Sequence, residues 1–505
     1  MRRLSTRRIR GMRLISLAIF GGLLAAVALA STAAAVVMRP SVHEYQQVSR
    51  SETPPTEAQC FSAGRRCFTP QAIQASYNVL PLYAAGIDGS GFTVAVVDSY
   101  GNDNMAHDLH VFDQAFGLPP MCGEQGVDCQ PGMPKFKTFH LQGSPETKPP
   151  PDNNSPGQED KSAWALEVAL DVETAHAMAP GANILLVTTP NAETLGVQGF
   201  PNMMKAEKYV IEHGMADVIS QSFGSAEEAF GSAQSLRNLR DAFVAAQQHD
   251  VTVLASSGDT GTANDKKTPV GKGGGLINEP TVSWPASDPL VTGVGGTSLC
   301  TDPFNTTTRT VDNADPPTAC QDAQAVGQAE IVWQRLAGGV ATGGGFSHVF
   351  DRPAYQDTLP AGSTAIGANR GVPDVALQAN SRTGALVYLS LPPDGNSGLI
   401  CGDTPCSTGW YDIGGTSLSS PQWGGLVALA DQIRGGRLGL INPALYAIAS
   451  DPAAYANDYF DVTVGNNQAD PSIPGYNASP GWDPATGLGT PNAANLLPAL
   501  AAAGP

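Results

Sequence analysis

Apolar and polar positions alternate along this 505-residue chain in two distinct rhythms. Short runs that are apolar almost throughout stand at 92–101 (FTVAVVDSYG), 183–189 (NILLVTT), 216–224 (ADVISQSFG) and 251–259 (VTVLASSGD). Their length and β-branched content predict strands buried on both faces. Between them lie segments with helical spacing, 163–178 (AWALEVALDVETAHAM), 200–214 (FPNMMKAEKYVIEHG) and 233–250 (AQSLRNLRDAFVAAQQHD). Pro180 and Gly181 stop the first of these helices. Strands alternating with helices predict βαβ units and a parallel sheet covered on both sides. Polar residues gather at the strand ends, where an open α/β sheet places its site. Pro- and Gly-rich stretches at 143–160 and 264–275 predict surface excursions, and 300–345 reads as polar and loop-rich. The closing LGTPNAANLLPALAAAG predicts a short docking helix.

The first 38 residues follow neither rhythm. Six arginines lie between Arg2 and Arg13, and an uncharged, mostly apolar run follows from Leu14 to Met38. That order predicts a signal peptide cleaved after small residues. A retained N-terminal anchor is the alternative, because the run exceeds the roughly 20 residues a bilayer crossing needs. The expectation is a secreted protein, or one tethered at the cell surface through residues 14–38. Residues 39–59 contain SETPPTE and read as a linker or short prosegment. The organised domain is expected over 60–505.

Composition narrows the partners. Charged residues make up 15% of the chain and the net charge is −18. A nucleic-acid partner is excluded, since it calls for a basic face. Eight cysteines, at 60, 67, 122, 129, 300, 320, 401 and 406, fit disulfides in an exported chain. The simplest pairing joins near neighbours, 60–67, 122–129, 300–320 and 401–406.

Candidate chemistry begins at GGTSLSSP (414–421), just ahead of the helix-like WGGLVALADQI. Ser417 is either a nucleophile or part of a helix cap. A nucleophilic serine needs a base. None of the eight histidines sits in an HGTH-like setting at a helix start. Glu167 and Asp171 instead stand four residues apart, on one face of a helix. Their neighbours Trp164, Leu166, Val168, Ala169, Leu170 and Val172 leave little polar surface, which predicts a partly buried pair. Asp259, in ASSGDTG, is either a turn residue or a carboxyl projecting from a strand end. Asp98, in VAVVDSYG, reads as a structural loop residue. A histidine-based triad of Asp98 with His107 or His110 remains as a minor alternative.

These residues resemble the sedolisin family, the serine-carboxyl peptidases. The resemblance is carried by GGTSLSSP, by the E-x-x-x-D helix followed by APGANILLV, and by SSGDTG. DLHVFDQAFGLP, SWPASDPLVTGVGGTSL, GGGFSHVFDRPAYQ and RGVPDVALQAN add to it, in order, from about Cys60 to the C-terminus. It implies a subtilisin-like α/β fold, a parallel sheet flanked by helices in a single large catalytic domain. It also implies Ser417 as nucleophile, Glu167 as general base, Asp171 as its orienter and Asp259 in the oxyanion hole. Asp259 can help there only as a hydrogen-bond donor, so it must be protonated. The backbone N–H of Ser417 would be the second donor. Carboxyl chemistry of this kind suits roughly pH 3–5. The strand SFG (222–224) would accept a peptide as an added strand, with Ser222 and Gly224 in contact.

The resemblance further implies a Ca²⁺ loop near the C-terminus. Asp461 and Asp483 would give carboxylates, and Val462, Ser479 and Gly481 backbone carbonyls, an all-oxygen set that suits calcium. The family usually has Gly where Ser479 stands, and a backbone ligand does not depend on that side chain. Family members usually carry a long propeptide, whereas only residues 39–59 separate the apolar run from the recognisable domain. Polypeptide substrates and a monomer are expected. The rival reading is a non-catalytic secreted binding domain on the same fold.

Overall fold

The computed structural model describes residues 39–40, 44–141, 158–189, 199–265, 275–312, 318–391, 399–401 and 404–503. The signal or anchor segment 1–38, and most of the excursions expected at 143–160 and 264–275, lie outside the described residues. From the N-terminus, β1 (Arg39–Pro40) and β2 (Tyr45–Ser49) precede β3 (Thr93–Ser99). Then come α1 (Met105–Phe116), β4 (Phe136–His140), α2 (Gln158–Met178), β5 (Asn183–Thr189) and α3 (Gly199–Glu212). Next are β6 (Val218–Gln221), β7 (Phe223–Ala226), α4 (Asp241–Gln248), β8 (Thr252–Ser256) and β9 (Ser283–Trp284). Finally β10 (Thr292–Leu299), β11 (Glu330–Val332), β12 (Val375–Gln378), β13 (Ala385–Leu389) and β14 (Gly409–Ile413) lead to α5 (Thr416–Arg434) and the closing α6 (Ala493–Ala503).

The main sheet runs β11-β10-β8-β6-β3-β5-β4, with β12 also paired to β10. All its pairs are parallel except β10–β11. The strands are apolar on both faces because both are covered. Val94, Val96, Ile184, Leu186, Val218 and Leu254 pack with α2 and α5 in one core. Their neighbours in sequence, Ala95, Val97, Leu185, Val187, Ile219 and Val253, pack with α3 and α4 in the other. Successive side chains leave opposite faces of a strand, so one run of valines feeds two cores.

From Ser162 to Met178 helix α2 is buried on nearly every side, with Glu167, Asp171, Glu173 and His176 buried among its apolar residues. It packs closely on α5, where a side chain at Gly425 would place its Cβ 2.7 Å from Met178 Cβ. Two smaller sheets flank this frame, β1-β7-β9 and β13-β14-β2.

The structure differs from the pattern in places. The run 216–224 is two strands, β6 in the main sheet and β7 in a small one, parted at Ser222. The expected helix 233–250 breaks between Arg237 and Asp241, where Ser232 caps the first piece. Within 300–345 stand a helix, Thr318–Ala325, and strand β11. Residues 45–49, expected within a linker or short prosegment, form β2. The disulfides are Cys60–Cys67, Cys122–Cys129, Cys300–Cys320 and Cys401–Cys406. No helix among the described residues is long and apolar enough to cross a membrane.

Candidate active site

Ser417 is the second residue of α5. Gly415 at the N-cap has φ +102°, a conformation that favours glycine, and turns the chain from β14 into the helix. Ser417 is buried, and its Oγ donates to the Ser222 carbonyl at 3.4 Å. Ser222 marks the step between β6 and β7. Its own hydroxyl donates to Asp171 Oδ1 at 2.8 Å and reaches the Ser417 carbonyl at 3.4 Å. One serine thus ties the helix carrying Asp171 to the helix carrying Ser417.

Glu167 and Asp171 are wholly buried, beyond the partial burial the sequence suggests. Neither Glu167 oxygen makes a hydrogen bond of good geometry, yet the Ser417 hydroxyl is close enough to favour its charged form. The long Ser417–Ser222 contact leaves that hydroxyl able to turn to Glu167. Burial pushes Glu167 well above the usual carboxyl range, and the charges of Asp171 and Asp98 add to this. Asp171 is raised by burial and by Asp98, while the Ser222 hydrogen bond works against the shift.

Asp98 corrects the sequence reading. It lies inside β3, is buried, and has no hydrogen bond at either oxygen. Burial raises it too. It is therefore a third member of the carboxyl cluster and not a loop residue, and the three groups titrate as a set. The triad of Asp98 with His107 or His110 is not formed. His107 contacts Asp108 and Ser390, and His110 contacts Glu124 and Gln114.

Asp259 follows β8 and is buried against the start of α5. Its Oδ1 accepts from Thr416 N at 2.8 Å and from Thr416 Oγ1 at 2.9 Å, and Thr416 Oγ1 accepts in turn from Gly258 N at 3.0 Å. With Oδ1 twice an acceptor, a proton on this carboxyl belongs on Oδ2. Thr416 was not singled out in the sequence, although it adjoins Ser417 in GGTSLSSP. Gly224 sits in β7 opposite Arg39 of β1. The Ser222 side chain is turned towards Asp171, so only its backbone is left for a peptide.

The residues expected to hold calcium come together at two turns. Gly481 N donates to Asp461 Oδ2 at 3.0 Å, and Ser479 N donates to Asp483 Oδ2 at 3.1 Å. Asp483 Oδ1 accepts from Ala485 N and Thr486 N at 2.8 and 2.9 Å. Asp461 Oδ1 is buried without a hydrogen bond, and Val462 is buried beside it. Burial pushes Asp483 up to about 7 and raises Asp461. One buried carboxylate, Asp483, and one half-buried carboxylate, Asp461, whose Oδ1 is left open, fit a hard cation. Among the described residues no group of three or more His, Cys, Asp or Glu side chains could hold a metal, so carbonyls would have to complete the shell.

Comparison with known proteins bears on this geometry. The model of the Subtilase family matches residues 152–438. Kumamolisin from Bacillus sp. (strain MN-32) is 30% identical over 465 residues, covering 92% of this chain and 69% of that protein. Tripeptidyl-peptidase 1 from Homo sapiens is 29% identical over 367 residues, covering 68% of this chain. The chain spans 53% of that relative's length. Among solved structures, Pseudomonas sedolisin, a serine-carboxyl proteinase complexed with two molecules of pseudo-iodotyrostatin, superposes with a TM-score of 0.60 at 26% identity. That match covers 86% of this chain and 97% of the other.

Proposed function

The chain belongs to the sedolisin family of serine-carboxyl peptidases and is a serine-type peptidase; from that premise we propose an endopeptidase that cleaves polypeptides in acid through Ser417, Glu167, Asp171 and Asp259. The observation that carries the reading is the Ser222 bridge. It holds Asp171 and the Ser417 backbone on one hydroxyl, while Glu167 stands within reach of the Ser417 side chain.

In the proposed sequence, Ser417 Oγ gives its proton to ionised Glu167 and attacks the peptide carbonyl. The oxyanion is held by protonated Asp259 and by the Ser417 N–H, which lies in the first turn of α5 and so lacks an intrahelical acceptor. Glu167 then protonates the leaving amine. It takes a proton from water as the acyl-enzyme is hydrolysed. Asp171 keeps Glu167 oriented and shares its proton burden. Thr416 fixes Asp259 so that Oδ2 is the donating atom. Glu167 must be ionised to accept the Ser417 proton, and the Ser417 hydroxyl favours that charge against the burial that raises its pKa, while Asp259 must be protonated to donate. The peptide would lie along β7 at Gly224. The disulfides fit an oxidising compartment, and we place the working enzyme outside the cell.

The test is hydrolysis of a denatured protein from about pH 2 to about pH 9, for the wild type, Ser417→Ala and Glu167→Gln. An acid optimum lost in both variants is expected. No hydrolysis at any pH by folded wild-type protein would favour the non-catalytic binding domain.

Calcium would be held by Asp461 and Asp483 with the carbonyls of Val462, Ser479 and Gly481, and would brace the two turns without entering the chemistry. Chelation by EGTA is expected to lower the apparent Tm of the wild type by several degrees, with recovery on adding Ca²⁺. Asp461→Asn should be insensitive to both, and a wild type indifferent to EGTA would contradict the site.

A further inference from the structure

Away from the active site, acids and histidines from α1, from α2 and from the loop between α1 and β4 meet in a buried cluster. The chain leaves α1 at Gly117 and returns to the sheet at Phe136. The second half of this loop is fixed by the Cys122–Cys129 disulfide and by the backbone. Cys122 N donates to the Pro134 carbonyl at 2.8 Å, and Phe136 N donates to the Cys122 carbonyl at 3.0 Å. The first half, 118–125, is fixed mainly by side chains.

Glu124 and Asp113 stand at the centre, both buried. They are hydrogen-bonded to one another. Carboxylates are acceptors only, so that bond requires a proton held between them. The other contacts of the pair fasten the loop as well. Glu124 accepts from Met121 N, and its Oε2 lies 3.1 Å from His110 Nδ1 of α1. Gln114 Nε2 in turn meets His110 Nε2 at 2.8 Å. Asp113 Oδ2 lies 3.2 Å from Nε2 of buried His176 on α2, and that nitrogen donates to the Pro119 carbonyl at 3.1 Å. Gln125 N donates to the Ala106 carbonyl of α1 at 2.8 Å. Glu173 of α2 also faces Asp113 and Asp108, with one oxygen held by Tyr388 N at 2.9 Å.

With the shared proton in place, the pair carries one negative charge and is flanked by two imidazoles. Without it, two carboxylates touch in a dry site, with the buried Glu173 nearby. Burial and the bond to Asp113 accordingly push Glu124 up to about 8. The folded chain thus holds a proton that the unfolded chain has lost, so the fastening is complete in acid and weakens as pH rises.

We infer that Glu124 and Asp113 form a proton-held clasp: the shared proton fastens residues 118–125 to α1 and α2, and its loss releases them, with the Cys122–Cys129 loop on β4 as the fixed hinge. The stretch rests near the C-terminal end of α2, the helix that carries Glu167 and Asp171. The clasp is therefore a local, reversible pH response at one end of that helix.

Amide hydrogen exchange, corrected for the intrinsic effect of pH, reads the clasp in the full chain carrying Ser417→Ala, which cannot digest itself. The Met121 and Gln125 amides report the loop, and the amides of α5 report the whole fold. Between about pH 5 and about pH 9 the loop amides are expected to lose roughly tenfold in protection, and the α5 amides clearly less. Glu124→Gln brings its own N–H to Asp113 and needs no shared proton, so loop protection should stay within roughly twofold of its acid value. Asp113→Asn makes the same bond from the other side and serves if the first variant does not fold. Unchanged loop protection in the parent chain, or the parent's loss repeated in an amide variant, would overturn the clasp. Equal losses at the loop and at α5 would overturn it too, because the opening would then be global.

Discussion

At the scale of single residues, the site is a problem of placing negative charge in a dry interior. Glu167, Asp171 and Asp98 are all buried, and the pKa of each is raised chiefly by that burial. A base with a raised pKa binds its proton more strongly, which makes Glu167 a better acceptor than an exposed glutamate. Asp98 tunes this balance, because its charge raises both partners. Asp98→Asn removes that charge, so Glu167 and Asp171 should ionise at lower pH. The acid limb of the kcat/KM profile is expected to move down by roughly one unit, with the fold intact by circular dichroism. An unmoved limb would mean that Asp98 has no electrostatic hold on the pair. Ser417, Glu167, Asp171 and Asp259 were named from short motifs through the family resemblance, and Ser222 was named there as a substrate contact. The Ser222 bridge to Asp171, the burial of Asp98 beside the pair and the hold of Thr416 on Asp259 were not legible, because packing decides what these residues touch. Ser222 meets a side chain 51 positions away and a backbone 195 positions away, and no local pattern encodes either contact.

At the scale of elements, the proposed mechanism makes activity depend on how closely α2 approaches α5, since one carries the proposed base and the other the proposed nucleophile. Gly425 sets that distance. A Cβ there would lie 2.7 Å from Met178 Cβ and 3.1 Å from the Ala175 carbonyl, closer than packed atoms tolerate. Gly425→Ala is expected to cost about 1–3 kcal/mol in stability through overpacking. It should also lower kcat more than it raises KM, by pushing Glu167 away from Ser417. Gly436→Ala, with nothing within 4 Å of the added carbon, is the control and should stay within about 0.5 kcal/mol of wild type. Equal melting temperatures for the two variants would show that the helices yield freely. The alternation of strand and helix was readable because a two-sided sheet demands apolar strands. The small sheets were not. β2 is a polar stretch whose partner, β14, lies about 360 positions further on, with the Gln47–Ser407 bond spanning that gap. A strand whose pairing is that distant carries no local signature.

At the scale of the whole molecule, buried acids extend well beyond the active site. Glu173 and Glu207 are fully buried and pushed well above the usual range, chiefly by burial. Burial likewise pushes Glu124, Asp412 and Asp431 each up to about 8. Asp412 has neither oxygen hydrogen-bonded, and the charge of Arg65 offsets only part of the cost of burying its charged form. In the folded chain these groups keep their protons at pH values where the unfolded chain, with carboxyl pKa values near about 4, has lost them. The unfolded state then binds fewer protons, so stability falls as pH rises. Their favourable contribution is complete below about pH 4 and is lost progressively as pH rises towards about 8. The net charge of −18 at neutral pH adds self-repulsion in the same direction. The apparent Tm is therefore expected to be highest in mild acid and to drop by on the order of 10 °C between about pH 4.5 and about pH 8. Scanning calorimetry of Ser417→Ala, which cannot digest itself, measures this directly. Asp412→Asn should flatten part of the slope, because an amide has no proton to lose. A melting temperature that rises from acid to neutral pH would instead mean that these carboxyls are ionised in the fold. The acid in which Asp259 can donate is, on this account, also the condition under which the scaffold is most stable.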